Sequence, residues 1–241
     1  SADDRGFRLG TGFFAFLVVL LVAGIFWELY RTSHLSLEYF GFRFWTGKIW
    51  DPVSGEFGAL PFIWGTLYSS LLAMLISTPI ALGIAIFLSE LSPKMLRTPL
   101  AFLTELLAAI PSIVYGLWAV FVLVPIVRQL QVITPDWMRK IPLFSGPPLG
   151  VGMLAAALIL AVMVIPFTSS VAREVLKAVP STQREAAYAL GATRWEAILA
   201  ALRFGRTGIM GAVILGFGRA VGETMAVTMV IGNNPQVSAS L

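Results

Sequence analysis

The chain has 241 residues, 12% of them charged and 57% hydrophobic, with 17 Lys and Arg against 13 Asp and Glu for a formal net charge of +4. A soluble globular domain carries about 25% charged residues, so this composition excludes one and points to lipid as the main solvent. The absence of cysteine excludes disulfide frameworks, thiolate metal sites and cysteine nucleophiles, and the single histidine, His34, excludes His-rich metal sites and starves any catalytic triad.

Basic residues lie scattered between apolar runs and form no stripe, which fits membrane topology better than nucleic-acid binding. A bilayer core needs about 20 mostly apolar residues per helix. Stretches of that kind are expected at 9–30, 61–88, 99–127, 149–172 and 208–232, five spans in an all-α membrane protein. Runs such as LVVLLVAGIF and AAALILAVMVI are continuous and do not alternate as barrel strands do, leaving helices. The first run is no secretory leader, because Glu28-Leu29-Tyr30-Arg31 stands where small residues before a cleavage site belong.

Charge asymmetry orients the spans. Arg5, Arg8, Lys94, Arg97, Arg173, Lys177, Arg184, Arg194, Arg203 and Arg206 fall on one side; Arg31, Arg43, Lys48, Arg128, Arg139 and Lys140 fall on the other. The richer side is expected inside, giving a multi-pass membrane protein with a cytoplasmic N-terminus. The outer connections, 31–60 and 128–148, carry Trp45, Trp50, Pro52, Trp137, Pro142, Pro147 and Pro148, suited to interfacial caps. No repeat or internal boundary appears, so the chain is expected to be one transmembrane domain, 1–241.

The inner connection 173–206 resolves into a helical hairpin. Pro180 ends the preceding helix, and Thr182 with Glu185 has the spacing of a capping box that starts a helix over 183–190. Gly191 stands where a left-handed terminating residue is wanted, and Thr193 with Glu196 repeats the capping box. Ala186, Ala187 and Ala189 give the first helix a small, smooth surface, with Tyr188 and Trp195 as anchors, so a docking element is expected. The competing reading is an amphipathic loop resting on lipid headgroups through its arginines.

The fifth span holds Arg219 and Glu223, four residues apart and therefore on one helical face. A charge at the centre of a membrane helix costs about 2.5 to 3.5 kcal/mol on insertion scales, so the pair needs a reason. Either it is an internal lock for helix packing, or Arg219 is an oxyanion ligand whose planar fork Glu223 holds in place when no anion is bound. Gly218 and Gly222 make a G-x-x-x-G step expected to admit another helix backbone. Glu105, in the third span, fits either a structural or a path role. The glycines are not a dinucleotide fingerprint, having no preceding strand and the wrong spacing.

These residues carry a resemblance. EAAYALGATRWEAILAAL resembles the cytoplasmic EAA loop of ABC importer permeases, and GRAVGETMAVTMVIGN, WDPVSGEFGALPFIWGTL and AAIPSIVYGLWAVFVLVP are similar to the PstC family of its phosphate-specific branch, over about 45–234. The resemblance implies a type I importer permease fold pairing with a homologous permease, PstA, to enclose an inorganic phosphate path. It implies that Glu185, Ala186, Ala187 and Gly191 dock on a PstB ATPase dimer, that the outer loops receive phosphate from a PstS binding protein, and that the protein lies in a bacterial inner membrane; the buried charges themselves favour an anion path through Arg219 and Glu223. ATP and Mg would be bound by PstB and no cofactor by this chain, which has no G-x-x-x-x-G-K-[ST] loop and is not an enzyme by itself. The family pattern ends its loop in Ile-x-Leu-Pro, whereas Ala201, Leu202, Arg203 and Phe204 stand here. A sixth span follows the fifth in the family, so a chain without an initial Met that stops at Leu241 is expected to be a piece of a longer one. Rival readings are a sulfate or molybdate permease, or a membrane scaffold; Glu223 favours phosphate, since a carboxylate accepts the O–H of protonated phosphate and repels fully ionised sulfate.

Overall fold

A computed structural model describes residues 2–135, 147–232 and 237. Trp137, Arg139, Lys140 and Pro142 of the outer connection, and most of the tail after Gly232, lie outside the described residues. The chain divides into two compact units, Ser1–Pro61 and Phe62–Leu241.

In the first unit, α1 (Ala2–Phe40) is a 39-residue helix that overruns the expected 9–30. Nothing between Tyr30 and Phe40 breaks a helix; Gly41 does, at φ 53°, where its N–H closes on the Leu37 carbonyl at 2.9 Å. A short helix α2 (Arg43–Thr46) leads to a two-stranded hairpin in which β1 (Trp50–Asp51) pairs antiparallel with β2 (Glu56–Phe57). The Asp51 carboxylate accepts the Val53 N–H at 2.9 Å to form the turn, and Phe57 packs on Trp50 and Phe40 with ring centroids 5.0 and 5.8 Å apart.

The second unit begins with most of α3 (Leu60–Ile86), which runs on through a π-helical turn, Phe87–Leu91. Next come α4 (Lys94–Ala109), α5 (Ser112–Trp118) with a π turn at Ala119–Leu123, and α6 (Val124–Ile133). Then follow α7 (Met153–Ala178), α8 (Ser181–Ala189), α9 (Arg194–Phe204), α10 (Arg206–Val221) and α11 (Met225–Val230). Among the described residues four helices are long and apolar enough to span a membrane, Asp4–Phe40, Leu60–Leu91, Ser112–Ile133 and Met153–Ala178; α9 and α10 pass that test only when counted together across a 69° bend.

Two expected spans are corrected. The third, set at 99–127, is interrupted where Ile110 takes ψ 131° before Pro111, because a residue preceding proline is driven from helical to extended backbone. The span therefore starts at Ser112, and Glu105 lies on the separate helix α4. The fifth, set at 208–232, is broken between Val221 and Met225, at Gly222, Glu223 and Thr224.

Helix α7 is the centre of the second unit. The face of α3 made by Ser69, Ala73, Ser77, Ala81 and Ala85 is buried at strict four-residue spacing, and it packs through Ala73 on Leu160 and Ala161 and through Ala85 on Ala172 and Leu176. On α10 the matching stripe is Gly208, Ala212, Gly216 and Ala220: a Cβ on Gly208 would fall 2.6 Å from Val175, and one on Gly216 would overlap the Thr168 hydroxyl. Small residues at i, i+4 let membrane helices approach closely enough for dispersion to hold them. The expected Gly218–Gly222 step is not the one used: Gly218 is exposed, with nothing within 4 Å of a Cβ there, and Gly222 caps the helix end. A third cluster joins Ala119, Val127, Ile159, Met163, Ala226 and Val230, with Gly116 against Met229 and Ala226 where no side chain would fit.

Candidate functional site

Arg219 sits in the last turn of α10, half-buried, directly before the break. Its guanidinium lies 5.3 Å from the centre of the Phe167 ring of α7, and its Nε is enclosed with no hydrogen-bond partner. Tyr115 of α5 is within electrostatic reach and donates its hydroxyl to the Leu107 carbonyl at 2.9 Å, spanning the break at Ile110–Pro111.

Glu223 is not where a continuous helix would put it. It lies within the break, and its Oε1 accepts the Ala226 N–H at 3.2 Å, satisfying an orphan donor at the start of α11. Among the described residues no ion pair joins Arg219 to Glu223, so the expected pairing is corrected. The reason is the backbone: Gly222 ends α10 with its N–H on the Gly218 carbonyl at 3.0 Å, and the chain then turns, removing the shared face on which an i, i+4 pair depends. Arg219 is thus a cation whose fork no carboxylate occupies.

The hairpin forms with one capping box instead of two. Helix α8 starts on Pro180, whose extended backbone and accepting carbonyl serve as the cap, so Thr182 is already inside the helix and makes no box with Glu185. Gly191 takes φ 81°, and Ala192 N–H closes on Ala187 O at 3.1 Å in a Schellman-type stop. The second box is present: Thr193 N–H and hydroxyl donate to Glu196 at 2.7 and 2.8 Å, and Glu196 N–H donates to Thr193 at 3.4 Å. The Thr193 backbone N–H, and then its hydroxyl, hold the Glu196 carboxyl below its usual range. Glu185 and Ala186 are exposed and Ala187 half-buried, while Tyr188, Leu190 and Trp195 expose 50%, 90% and 56% of their surfaces, an apolar rim on the outer side of the elbow. Phe204, where proline was expected from the resemblance, ends α9, and the 69° bend into α10 falls at Gly205.

Two charge pairs escaped the sequence reading because they join residues far apart in the chain. Arg173, 4% exposed, donates to Glu105 at 2.7 Å and to Glu174 at 2.8 Å, pinning α4 to α7 and giving Glu105 its partner. Arg184 grips Glu90 with both ends of its fork. Among the described residues no group of three or more His, Asp or Glu could hold a metal ion.

Residues 77–240 match the family described as binding-protein-dependent transport system inner membrane component. The "Phosphate transport system permease protein PstC" of Mesorhizobium japonicum is 46% identical over all of this chain and 76% of its own length, and that of Pasteurella multocida 46% over 98% and 75%. A "Probable phosphate transport system permease protein PstC" of Methanocaldococcus jannaschii is 35% identical over 92% of this chain and 71% of its own length. The helical architecture and its apolar spans fit the type I ABC importer permease fold. The chain belongs to the binding-protein-dependent transport system inner membrane components, and among them to the PstC family of phosphate transport system permeases.

Proposed function

We propose that the chain acts as one permease domain forming half of the pathway of an ATP-driven inorganic phosphate importer, with Arg219 as a ligand of the passing anion. A homologous PstA permease encloses the other half, a PstS protein delivers phosphate to the outer connections, and a PstB ATPase dimer, which binds the ATP and Mg, docks on the elbow formed by Glu185, Ala186, Ala187 and Gly191. The charge asymmetry supports a cytoplasmic N-terminus. Glu223, beside Arg219 in the chain but turned to Ala226, is in this reading an acceptor for a phosphate O–H near the same break.

The observation that carries the reading is Arg219 at a helix break with an enclosed, unpartnered Nε and no carboxylate on its fork. Irregular backbone at membrane depth is tolerated where it is buried in protein or lines a watery path, and a planar fork suits a tetrahedral oxyanion. The test is phosphate uptake, with excess sulfate as competitor, beside the abundance of the assembled complex. Arg219→Gln is expected to abolish uptake at normal abundance, Arg219→Lys to leave a fraction, and Arg219→Gln with Glu223→Gln to assemble and stay inactive. Uptake that survives Arg219→Gln, or returns in the double variant, refutes the anion role.

A further inference from the structure

The Arg184 guanidinium, in the first turns of α8, makes four hydrogen bonds. Its Nε and Nη2 meet the two carboxylate oxygens of Glu90, in the π turn that ends α3, at 3.1 and 2.5 Å. Its Nη1 and Nη2 also donate to the carbonyls of Val179 and Leu176 at the end of α7, at 3.1 and 3.0 Å. Arg194, the first residue of α9, donates to the backbone carbonyl of Glu90 at 2.9 Å. Glu90 and Arg184 expose only 12% and 22% of their side chains, so a bidentate, charge-assisted pair is held where solvent screens it weakly.

Glu90 therefore ties both helices of the hairpin to the end of α3, and Arg184, held by it, also ties α8 to the end of α7. Among the described residues, the side-chain hydrogen bonds from the hairpin to those ends all pass through Arg184 and Arg194. The covalent links at either side of the hairpin are joints: Val179–Pro180 is extended, and Gly205 carries the 69° bend. Leu202 of α9 also packs on Ala85 of α3 and Leu176 of α7, and the Glu90 clamp adds the directional, charge-assisted tie that resists pivoting of the hairpin about its joints.

We propose that Glu90 is a positioning residue for transport, making the hairpin, α3 and α7 one lever so that displacement of the hairpin by the ATPase reaches the spans. This rests on the reading that the hairpin docks on an ATPase. Coupling between distant sites can be carried by hydrogen-bonded and packed networks, and mutations along one alter coupling without touching either ligand.

The experiment uses the full importer, both permeases with ATPase and binding protein, in proteoliposomes. Phosphate uptake and ATP hydrolysis are measured on the same vesicles and normalised to complex. Glu90→Ala is expected to lower uptake per ATP by roughly 3- to 30-fold, the range seen for residues within coupling networks, with the ATPase still bound. Glu90→Gln, which keeps the shape and one acceptor, should lower it less, and Arg194→Gln, which removes only the bond to the Glu90 carbonyl, should act in the same direction. Uptake and hydrolysis that fall together with abundance at an unchanged ratio mark a purely structural tie and overturn the proposal; so does an unchanged ratio at normal abundance. If Glu90→Ala does not assemble, the ratio in Glu90→Gln and Arg194→Gln decides in the same way. An ATPase that fails to co-purify with the wild-type permeases removes the docking reading, and the lever with it.

Discussion

Adding one methyl group at Gly216 and one at Gly218 should have opposite consequences, although the two glycines are two residues apart on the same helix. A Cβ at Gly216 overlaps the Thr168 hydroxyl and stands 3.2 Å from Val164 Cγ1 and 3.6 Å from Thr168 Cβ, whereas one at Gly218 meets nothing within 4 Å. Glycine to alanine inside a helix gains about 1 kcal/mol of intrinsic propensity, a gain common to both positions. Overpacking a filled interface costs about 1 to 3 kcal/mol, and that cost falls on Gly216 alone. Gly216→Ala should therefore be less stable than Gly218→Ala by about 1 to 3 kcal/mol. The assay is reversible unfolding of the purified chain in mixed detergent micelles, followed by circular dichroism. Thr168 and Val164 are fully buried on α7, so the strain has nowhere to relax; Thr168→Ala in the Gly216→Ala background should restore most of the loss by removing the atoms in the way. Equal stability of the two single variants, or no recovery in the double, would refute the assignment of the Gly208–Ala212–Gly216–Ala220 face to α7.

The hairpin carries two further predictions. Gly191→Val places a β-branched residue at φ 81° and should strain the elbow by about 1 to 3 kcal/mol, lowering uptake and ATPase association while membrane abundance holds; normal transport at normal abundance would remove the elbow from coupling. The Glu196 carboxyl is held low by Thr193, so its cap is present at pH above the usual carboxylate range and is lost as pH falls through the lowered folded value. Protection of the first-turn amides of α9, measured against the intrinsic exchange rate at each pH, should drop over that fall, and Glu196→Ala should show the low protection already at neutral pH; protection that is the same in both proteins at both pH values would refute the sign.

How far the sequence reached depends on the range of the interaction that decides each feature. Gly191 and the Thr193–Glu196 box were legible because both are settled within six residues. The Thr182–Glu185 box has the same spacing but failed, because with Pro180 as cap the helix starts two residues earlier, at Ser181, and Thr182 lies inside α8. Hydropathy ran 99–127 together because it is blind to backbone; the Pro111 rule carried the correct signal and was outweighed by apolar continuity. On α10, glycines offer two registers, and only the partner helix α7 selects 208–212–216–220 over 218–222. Glu90–Arg184 and Glu105–Arg173, separated by 94 and 68 residues, have no local signature at all.

The case for Arg219 rests finally on what remains uncompensated around it. A charge in a membrane helix costs about 2.5 to 3.5 kcal/mol. The Phe167 face at 5.3 Å returns about 0.5 to 2 kcal/mol, and the negative end of α10, in whose last turn Arg219 lies, returns about 0.3 to 1 kcal/mol. Together these return about 0.8 to 3 kcal/mol, so Arg219 lies between full compensation and a shortfall of about 2.7 kcal/mol. Arg173 is buried too and its Nε likewise lacks a partner, but its Nη2 meets two carboxylates. A fold that supplies two acids to one buried arginine and turns the nearest acid away from the other treats them differently. The breaks at Ile110–Pro111 and Gly222–Thr224 do the turning, and they bring Tyr115 and Arg219 into electrostatic reach of each other, where the chain gives up helical hydrogen bonds to expose polar backbone. In the proposed reading, an anion arriving there would supply the countercharge that Arg173 takes from Glu105 and Glu174.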